Sequence, residues 1–190
     1  MNHIQATARS ASDFETVVLP QIREWLPDCR YYSLETLKDT AGDSVSREIF
    51  TILDDKAGCD GMFYNAPHEC AKLAGIRVQR KGVDFSTFTI RYERWAGTKT
   101  EFAKRNDAIK RDALLPHLTI HAYLTVDGQL MSVGMCSTRD LFSHINGGGS
   151  YHFQTVHEFG GAVFMVVKWS DFSRKFKIHE FHVSVADLYC

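Results

Sequence analysis

The chain has 190 residues, of which 44% are hydrophobic and 24% charged, and its formal net charge is −1. This composition is typical of a globular domain that can bury a core, and it excludes intrinsic disorder, collagen-like repeats and coiled coils. No apolar run approaches the roughly 20 residues of a membrane helix, and the N-terminus lacks a secretory signal. We therefore expect one domain over residues 1–190, with no membrane segment and a cytoplasmic location.

Two helices are predicted in the first third of the chain. Residues 11–26 place Phe14, Val18 and Ile22 at helical spacing, and Pro20 is expected to kink or divide this helix. A second helix is predicted to begin near Asp43 or Ser44 and to end at the Ala57-Gly58 pair. Its apolar face is formed by Val45, Ile49, Ile52 and Leu53.

The hydrophobic period then changes from 3.6 to 2, which indicates strands. Short strands are predicted at residues 61–65, 75–81 and 85–92, and the last two are expected to pair as an antiparallel hairpin at Lys81-Gly82. A helix should follow Thr100, with Phe102, Ile109, Ala113 and Leu114 toward the core and Lys104, Arg105, Lys110 and Arg111 toward solvent.

The remaining segments continue this alternation. A hairpin is predicted at residues 118–126 and 130–135 because Asp127-Gly128 separates two strand patterns. A short helix at 138–145, a buried and central apolar strand at 162–169, and a last strand at 176–185 complete the chain. The predicted fold class is therefore α/β (α+β), with one mixed central sheet flanked by helices.

Positive charge is concentrated in one segment. Residues 72–111 contain eleven Lys or Arg against four Asp or Glu, whereas the other residues carry 11 basic and 19 acidic side chains. An excess of this size suits a phosphate backbone, although a solvated helix face with surface-strand charges gives the same count. The segment therefore predicts DNA or RNA as the partner. It leaves the oligomeric state open, a homodimer included.

The strongest candidate for a catalytic site combines two features. An acidic residue opens one predicted strand, and a polar residue followed two positions later by a lysine ends the next strand. The residues are Asp60, Gln79 and Lys81. With the order of helix, three strands, helix and strand, they resemble the PD-(D/E)XK nuclease superfamily. The resemblance implies a restriction-endonuclease-like core over about residues 44–145, with the N-terminal helix and the C-terminal strands added to it.

The same resemblance assigns roles to these residues. Asp60 and Gln79 would bind Mg²⁺ or Mn²⁺, Lys81 would position the attacking water, and Glu48 would be an auxiliary acidic ligand. A hard cation held by oxygen atoms acidifies water and neutralises charge on phosphate, which phosphodiester hydrolysis requires. Because a neutral amide is a poorer ligand than a carboxylate, we expect Glu48 or Asp84 close by. An ordinary half-exposed strand would also explain this polar pattern.

The expected function is therefore metal-dependent hydrolysis of nucleic acid, as by an endonuclease of a mobile element or a defence system. Basic side chains in and beside the predicted strands and helix would bind the phosphates. These side chains are Arg77, Arg80, Arg91, Arg94, Lys104 and Arg105. Cleavage requires the ends of Asp60, Gln79 and Lys81 to meet at one edge of the sheet.

Two alternatives remain open. The tetrads that begin at His117 and His182 both read His, apolar, Ser or Thr, apolar. They resemble the paired motif of 2H phosphoesterases, in which two histidines act as acid and base without a metal. The other alternative is a non-catalytic nucleic-acid-binding or inhibitor protein. Zinc is not expected, because the five cysteines form no C-x-x-C pair and the histidines form no H-E-x-x-H motif.

Overall fold

Two β-sheets and the helices around them make up the computed structural model, which describes residues 3–94, 100–156, 161–172 and 176–183. The helices are α1 (His3–Asp13), α2 (Leu19–Trp25), α3 (Leu34–Thr40), α4 (Ser44–Asp55), α5 (Glu101–Lys110) and α6 (Thr138–Asn146). The strands are β1 (Cys29–Ser33), β2 (Gly61–Asn65), β3 (Cys70–Arg80), β4 (Thr87–Arg94), β5 (Leu118–Leu124), β6 (Leu130–Ser137), β7 (His152–Val156), β8 (Ala162–Lys168) and β9 (Ile178–His182).

The larger sheet has six strands in the order β1-β2-β3-β5-β6-β9. The β3–β5 pair is parallel, and every other neighbouring pair in this sheet is antiparallel. A parallel pair requires a crossover, and here the crossover contains β4 and α5. The predicted mixed sheet flanked by helices is therefore confirmed, as is the β5–β6 hairpin around Gly128, whose φ is +95°.

The smaller sheet has the order β4-β8-β7, which corrects the prediction of a single sheet. The expected hairpin between β3 and β4 does not form, because β3 pairs with β5 and β4 pairs with β8. The connection turns away from the larger sheet through positive φ angles of 65° at Gly82 and 45° at Ser86. As predicted, β8 is central, but its sheet is the second one, and only its second half, Met165 to Val167, is buried.

One face of the larger sheet is covered by the N-terminal helices. Phe14, Val18 and Ile22 are buried against Ile120 and Val133 of the sheet. The helical segment is longer than predicted, because it runs from His3 to Trp25 through a π-helical turn at Phe14–Val18. Pro20 lies just after this turn. A proline cannot donate the backbone hydrogen bond of a regular helix, and the wider turn accommodates the loss.

Helix α4 has the predicted bounds but buries a different face. Val45, Ile49 and Ile52 are 64%, 51% and 42% exposed, whereas Phe50 and Leu53 pack against the cluster around Leu34 and Cys59. The helix contacts α3, and its Phe50 and Leu53 share a cluster with Met62 of β2 and Leu73 of β3. An apolar stripe on the other side is thus left uncovered.

Helix α5 begins as predicted, since the Thr100 hydroxyl accepts a hydrogen bond from the Ala103 N–H. Its faces differ from the prediction, because Arg105 is only 6% exposed while Leu114, just beyond the helix, is 61% exposed. Helix α6 is capped by Ser137 and has five buried side chains. Within the described residues, no helix has both the length and the apolar character to cross a membrane.

Candidate functional site

A cleft of about 420 Å³ lies between the two sheets, at the start of α5. Its walls come from the segment before β2, the middle of β3, the β4 strand and the first turns of α5. The charged side chains that line it are Asp60, Arg77, Arg91, Glu101, Lys104 and Arg105. Four of these are cationic and two carry carboxyl groups, so the cleft has an excess of positive charge suited to an anionic ligand.

Asp60 lines the cleft immediately before β2. One carboxylate oxygen, Oδ2, accepts a hydrogen bond from the Ile76 N–H at 2.6 Å. The surrounding protein desolvates the carboxylate and raises its pKa to about 6, although the Ile76 N–H and the charge of Arg105 act in the opposite direction. Solvent reaches the side chain through the cleft, so Asp60 can exchange a proton near neutral pH.

Glu101 connects the two sheets through its carboxylate. Oε2 accepts a hydrogen bond from Nη2 of Arg77 at 3.0 Å, and Oε1 lies 3.1 Å from Nη1 of Arg105. Burial alone would raise the pKa of Glu101, but the two guanidinium groups outweigh it and lower the pKa to about 2. Glu101 is therefore ionised at neutral pH, and it holds both arginines in place.

The two arginines on the strands share one aromatic ring. The guanidinium carbons of Arg77 and Arg91 lie 5.4 Å and 5.7 Å from the centre of the Phe164 ring on β8. Arg77 also donates to the Thr89 hydroxyl at 2.8 Å. These cation–π contacts fix planar groups beside the cleft, where they can form paired hydrogen bonds with a phosphate.

Arg105 enters the site because β3 has a glycine beneath it. A Cβ atom at Gly75 would lie 2.5 Å from Nη2 of Arg105. The Nε atom of Arg105 is buried and has no hydrogen-bond partner among the residues that the structure describes. A buried and incompletely satisfied guanidinium favours an anion that enters the cleft.

His121 is a buried residue of β5 and lies beside Glu101. Its Nδ1 lies 3.0 Å from the Thr89 backbone nitrogen and 3.3 Å from the Thr87 carbonyl oxygen, so one ring nitrogen contacts both a donor and an acceptor. Burial and the charge of Arg77 lower the pKa of His121 to about 3. The ring is therefore neutral at physiological pH and is available as a donor, and it does not act as a general base.

The predicted triad does not come together. Asp60 is bonded to Ile76, while Gln79 lies three residues further along β3, about 10 Å away at the rise of a strand. Lys81 lies beyond the end of β3 and is exposed. Neither Gln79 nor Lys81 lines the cleft. The expected convergence fails because β2 meets β3 near Ala74, well before the end of that strand.

The other predicted residues divide into two groups. Arg77, Arg91, Lys104 and Arg105 line the cleft. Arg80 does not, because its Nε donates to Asp13 of α1 at 2.6 Å, and Glu48 lies on the exposed surface of α4. Asp84 accepts from the Ser132 hydroxyl and contacts His182, away from Asp60. The side chain of Arg94 lies outside the described part of the structure.

The two histidine tetrads also lie apart. His117 directly precedes Leu118, which pairs with Ser137, whereas His182 pairs with Ser132. Five residues of β6 separate these positions, or about 17 Å. His117 Nδ1 accepts from the Leu73 N–H, which gives that ring a structural role. The two imidazoles cannot act together on one phosphate.

The described residues do not provide the metal ligands that the nuclease resemblance implies. Among them, no group of three His, Cys, Asp or Glu side chains could hold a metal ion. Glu101 is neutralised by two arginines, so Asp60 alone offers a free carboxylate oxygen in the cleft. A divalent cation also prefers several oxygen ligands and is repelled by the four neighbouring cationic groups. This donor set does not fit Mg²⁺.

Sequence reasoning missed two residues of the cleft. Glu101 is one of them, although its spacing of four residues from Arg105 indicates an ion pair on one face of α5. His121 stands inside an apolar strand, and a buried polar side chain there requires a partner. The sequence contains both signals. Neither of them shows that Arg77 reaches the same carboxylate.

No family model matches the chain, and no curated protein or solved structure matches it.

Proposed function

We propose that the protein binds nucleic acid in the basic cleft and hydrolyses a phosphodiester there, with Asp60 as the reacting carboxylate. The observation that carries the proposal is the position of Asp60. It has one oxygen without a partner among the described residues and a pKa of about 6, and it lies in a cleft lined by four cationic side chains. A carboxylate with this pKa is mostly ionised at pH 7 and can accept a proton.

The charged residues of the cleft have different roles in this reaction. Asp60 takes the proton of a water molecule as that water attacks phosphorus, the P–O ester bond opposite the water breaks, and the leaving oxygen takes a proton from solvent. Arg77, Arg105 and Lys104 neutralise the charge that builds on the phosphate oxygens, and Glu101 holds the two guanidinium groups in position. No step is assigned to a metal ion.

A second cleft beside Asp60 determines the side from which nucleic acid is expected to approach. Asp60 also lines a space of about 370 Å³ whose other ionisable side chains are Glu15, Tyr31, Glu35 and Asp54. Three of these are carboxylic acids, so this side repels a phosphate backbone. Nucleic acid is therefore expected to approach Asp60 from the basic side, and water can enter from the acidic side.

Binding without hydrolysis is the second candidate function. It is favoured by the pairing of Glu101 with Arg77 and Arg105, which leaves one free carboxylate where the resemblance implies a set of metal ligands. Such a cleft binds phosphate but does not strongly activate a water molecule for attack. The two candidates share the cleft and differ in the fate of the phosphodiester bond.

A cleavage assay separates them. Plasmid, linear DNA and RNA are incubated with the protein at pH 5 to 8, in EDTA and then with Mg²⁺ or Mn²⁺. We expect cleavage in EDTA that rises through about pH 6 and falls at least about 100-fold in Asp60→Asn, because a positioned acid–base group contributes that much. Lys81→Ala, outside the cleft, is the matched control and should cleave like the wild type.

The results distinguish the candidates directly. Binding of these polymers without cleavage under any condition supports the second candidate. Cleavage only with a divalent ion would contradict the metal-free role of Asp60 and restore the metal-dependent nuclease that the resemblance implies.

A further inference from the structure

A groove of about 620 Å³ runs between the C-terminal ends of α4 and α5. Its walls include Ile52, Ala57, Ala108, Ala113 and Leu114. Ile52 is 42% exposed and Leu114 is 61% exposed, so large aliphatic side chains face solvent here. Exposed apolar groups that gather in a groove are typical of a binding surface.

Basic side chains stand around this groove. Lys56, Lys104 and Arg111 line it together with Asp55 and Asp107. Lys104 is held over the gap between the two helices, because its Nζ donates to the Asp55 carbonyl oxygen at 3.2 Å. The groove is partly apolar and its rim carries three cations against two carboxylates, an excess of positive charge that matches a ligand with flat apolar parts and negative charges.

The groove adjoins the basic cleft. Ala57 and Lys104 line both spaces, so the Lys104 ammonium lies at their boundary. A strand with one phosphate near Arg105 can therefore pass Lys104 and enter the groove. The occupant that fits both spaces is a polymer that alternates phosphates with flat apolar groups.

We infer that the groove binds the bases of a single-stranded nucleic acid whose backbone continues from the cleft across Lys104. The inference rests on the proposed function, and it adds the strandedness of the substrate. Bases in a duplex are stacked and paired inside it, so only an unpaired strand can place them on Ile52 and Leu114. Aliphatic contacts do not read base edges, so we expect little sequence preference.

Fluorescence anisotropy with labelled 12-nucleotide probes tests the inference. One probe carries all its bases, and a second has the same phosphates with abasic spacers; DNA and RNA forms of the first are compared. We expect Ile52→Ser/Leu114→Ser to weaken binding of the complete probe about tenfold and to leave the abasic probe unchanged, because the bases no longer bury two aliphatic side chains. Lys104→Gln should weaken both probes.

The control is Val126→Ser, which removes an equally exposed apolar side chain near the β5–β6 turn and should bind like the wild type. Unchanged affinity of the double variant for the complete probe would overturn the inference and leave the proposed function standing. Failure of the wild type to bind either probe or a duplex of the same sequence would instead overturn the proposed function, and binding of the duplex alone would overturn only the inference. Equal affinity for a duplex, or a change only in oligomeric state by light scattering, would show that single strands do not occupy the groove.

Discussion

At the scale of single residues, the cleft depends on one buried carboxylate held between two guanidinium groups. Glu101 is 22% exposed and lies within 3.1 Å of nitrogen atoms from both Arg77 and Arg105. Its pKa falls from an ordinary 4.5 to about 2, so folding favours the ionised form. The stability that this group contributes is present above about pH 4.5, and it is lost as the pH falls toward 2.

We expect Glu101→Gln to destabilise the protein by about 3 kcal/mol at pH 7, because two cationic groups lose their partner. The melting temperature should fall by roughly 6–12 °C. The difference from the wild type should shrink as the pH is lowered from 4.5 to 2, which thermal unfolding across this range measures. Glu48→Gln, an exposed carboxylate on α4, is the control, and a loss as large there would contradict the explanation.

At the scale of secondary structure elements, two glycines in the larger sheet make room for quite different neighbours. Gly75 on β3 lies beneath the flexible end of Arg105, whereas Gly134 on β6 lies beneath the buried ring of Trp169. In each case a Cβ atom would come within 2.5 Å of the neighbour. A flexible side chain can move away, but a packed indole cannot move without disturbing the core.

The two alanine variants should therefore distinguish an effect on nucleic-acid binding from an effect on the stability of the fold. Gly75→Ala is expected to weaken nucleic-acid binding, because Arg105 is displaced, and to lower the free energy of unfolding by less than Gly134→Ala does, because the guanidinium can shift and stay within reach of Glu101. Gly134→Ala should cost about 1–3 kcal/mol through overpacking and leave binding unchanged. Urea unfolding and anisotropy with one oligonucleotide measure both quantities. Equal stability losses in the two variants would refute this distinction.

At the scale of the whole molecule, charge is separated between two sides of the sheet. The basic segment 72–111 supplies most of the cleft cations, while the cleft beneath α1 is lined by acidic side chains. Folding also lowers the charge that the segment offers a ligand, since Arg80 is paired with Asp13 from outside the segment, whereas Glu101, which pairs with Arg77 and Arg105, is already counted in the +7. The +7 of the segment thus overstates the charge that faces a ligand.

Binding should weaken with salt through these cleft cations. We expect Lys104→Gln to reduce the slope of log affinity against log salt concentration by about 0.7–0.9, because one phosphate contact is lost. Arg23→Gln removes an exposed charge on α2, behind the sheet, and should leave the slope unchanged. The slopes are measured by titrating both variants at salt concentrations between roughly 50 and 200 mM, the range over which such losses of affinity appear. Equal effects would mean that net charge, and not the cleft, controls binding.

Much of the secondary structure follows from the sequence alone because its causes are local. The alternation of β5 and β6, the Asp127-Gly128 turn and the Thr100 and Ser137 caps depend on residues a few positions apart. The concentration of positive charge and the choice of Asp60 and four basic residues also came from the sequence. Strand β1 was missed, since its five residues have no clear alternation and pair only with β2.

Which strands pair with each other and which helix faces are buried was decided only by the tertiary structure. Whether β3 pairs with β4 or with β5, and which face of α4 is covered, depends on segments far away in the chain. The burial of Arg105 follows from the glycine opposite it, and the separation of Asp60 from Gln79 follows from the register of β2. Local patterns determine which elements form, but competition among distant surfaces for burial and hydrogen bonds determines which side chains meet.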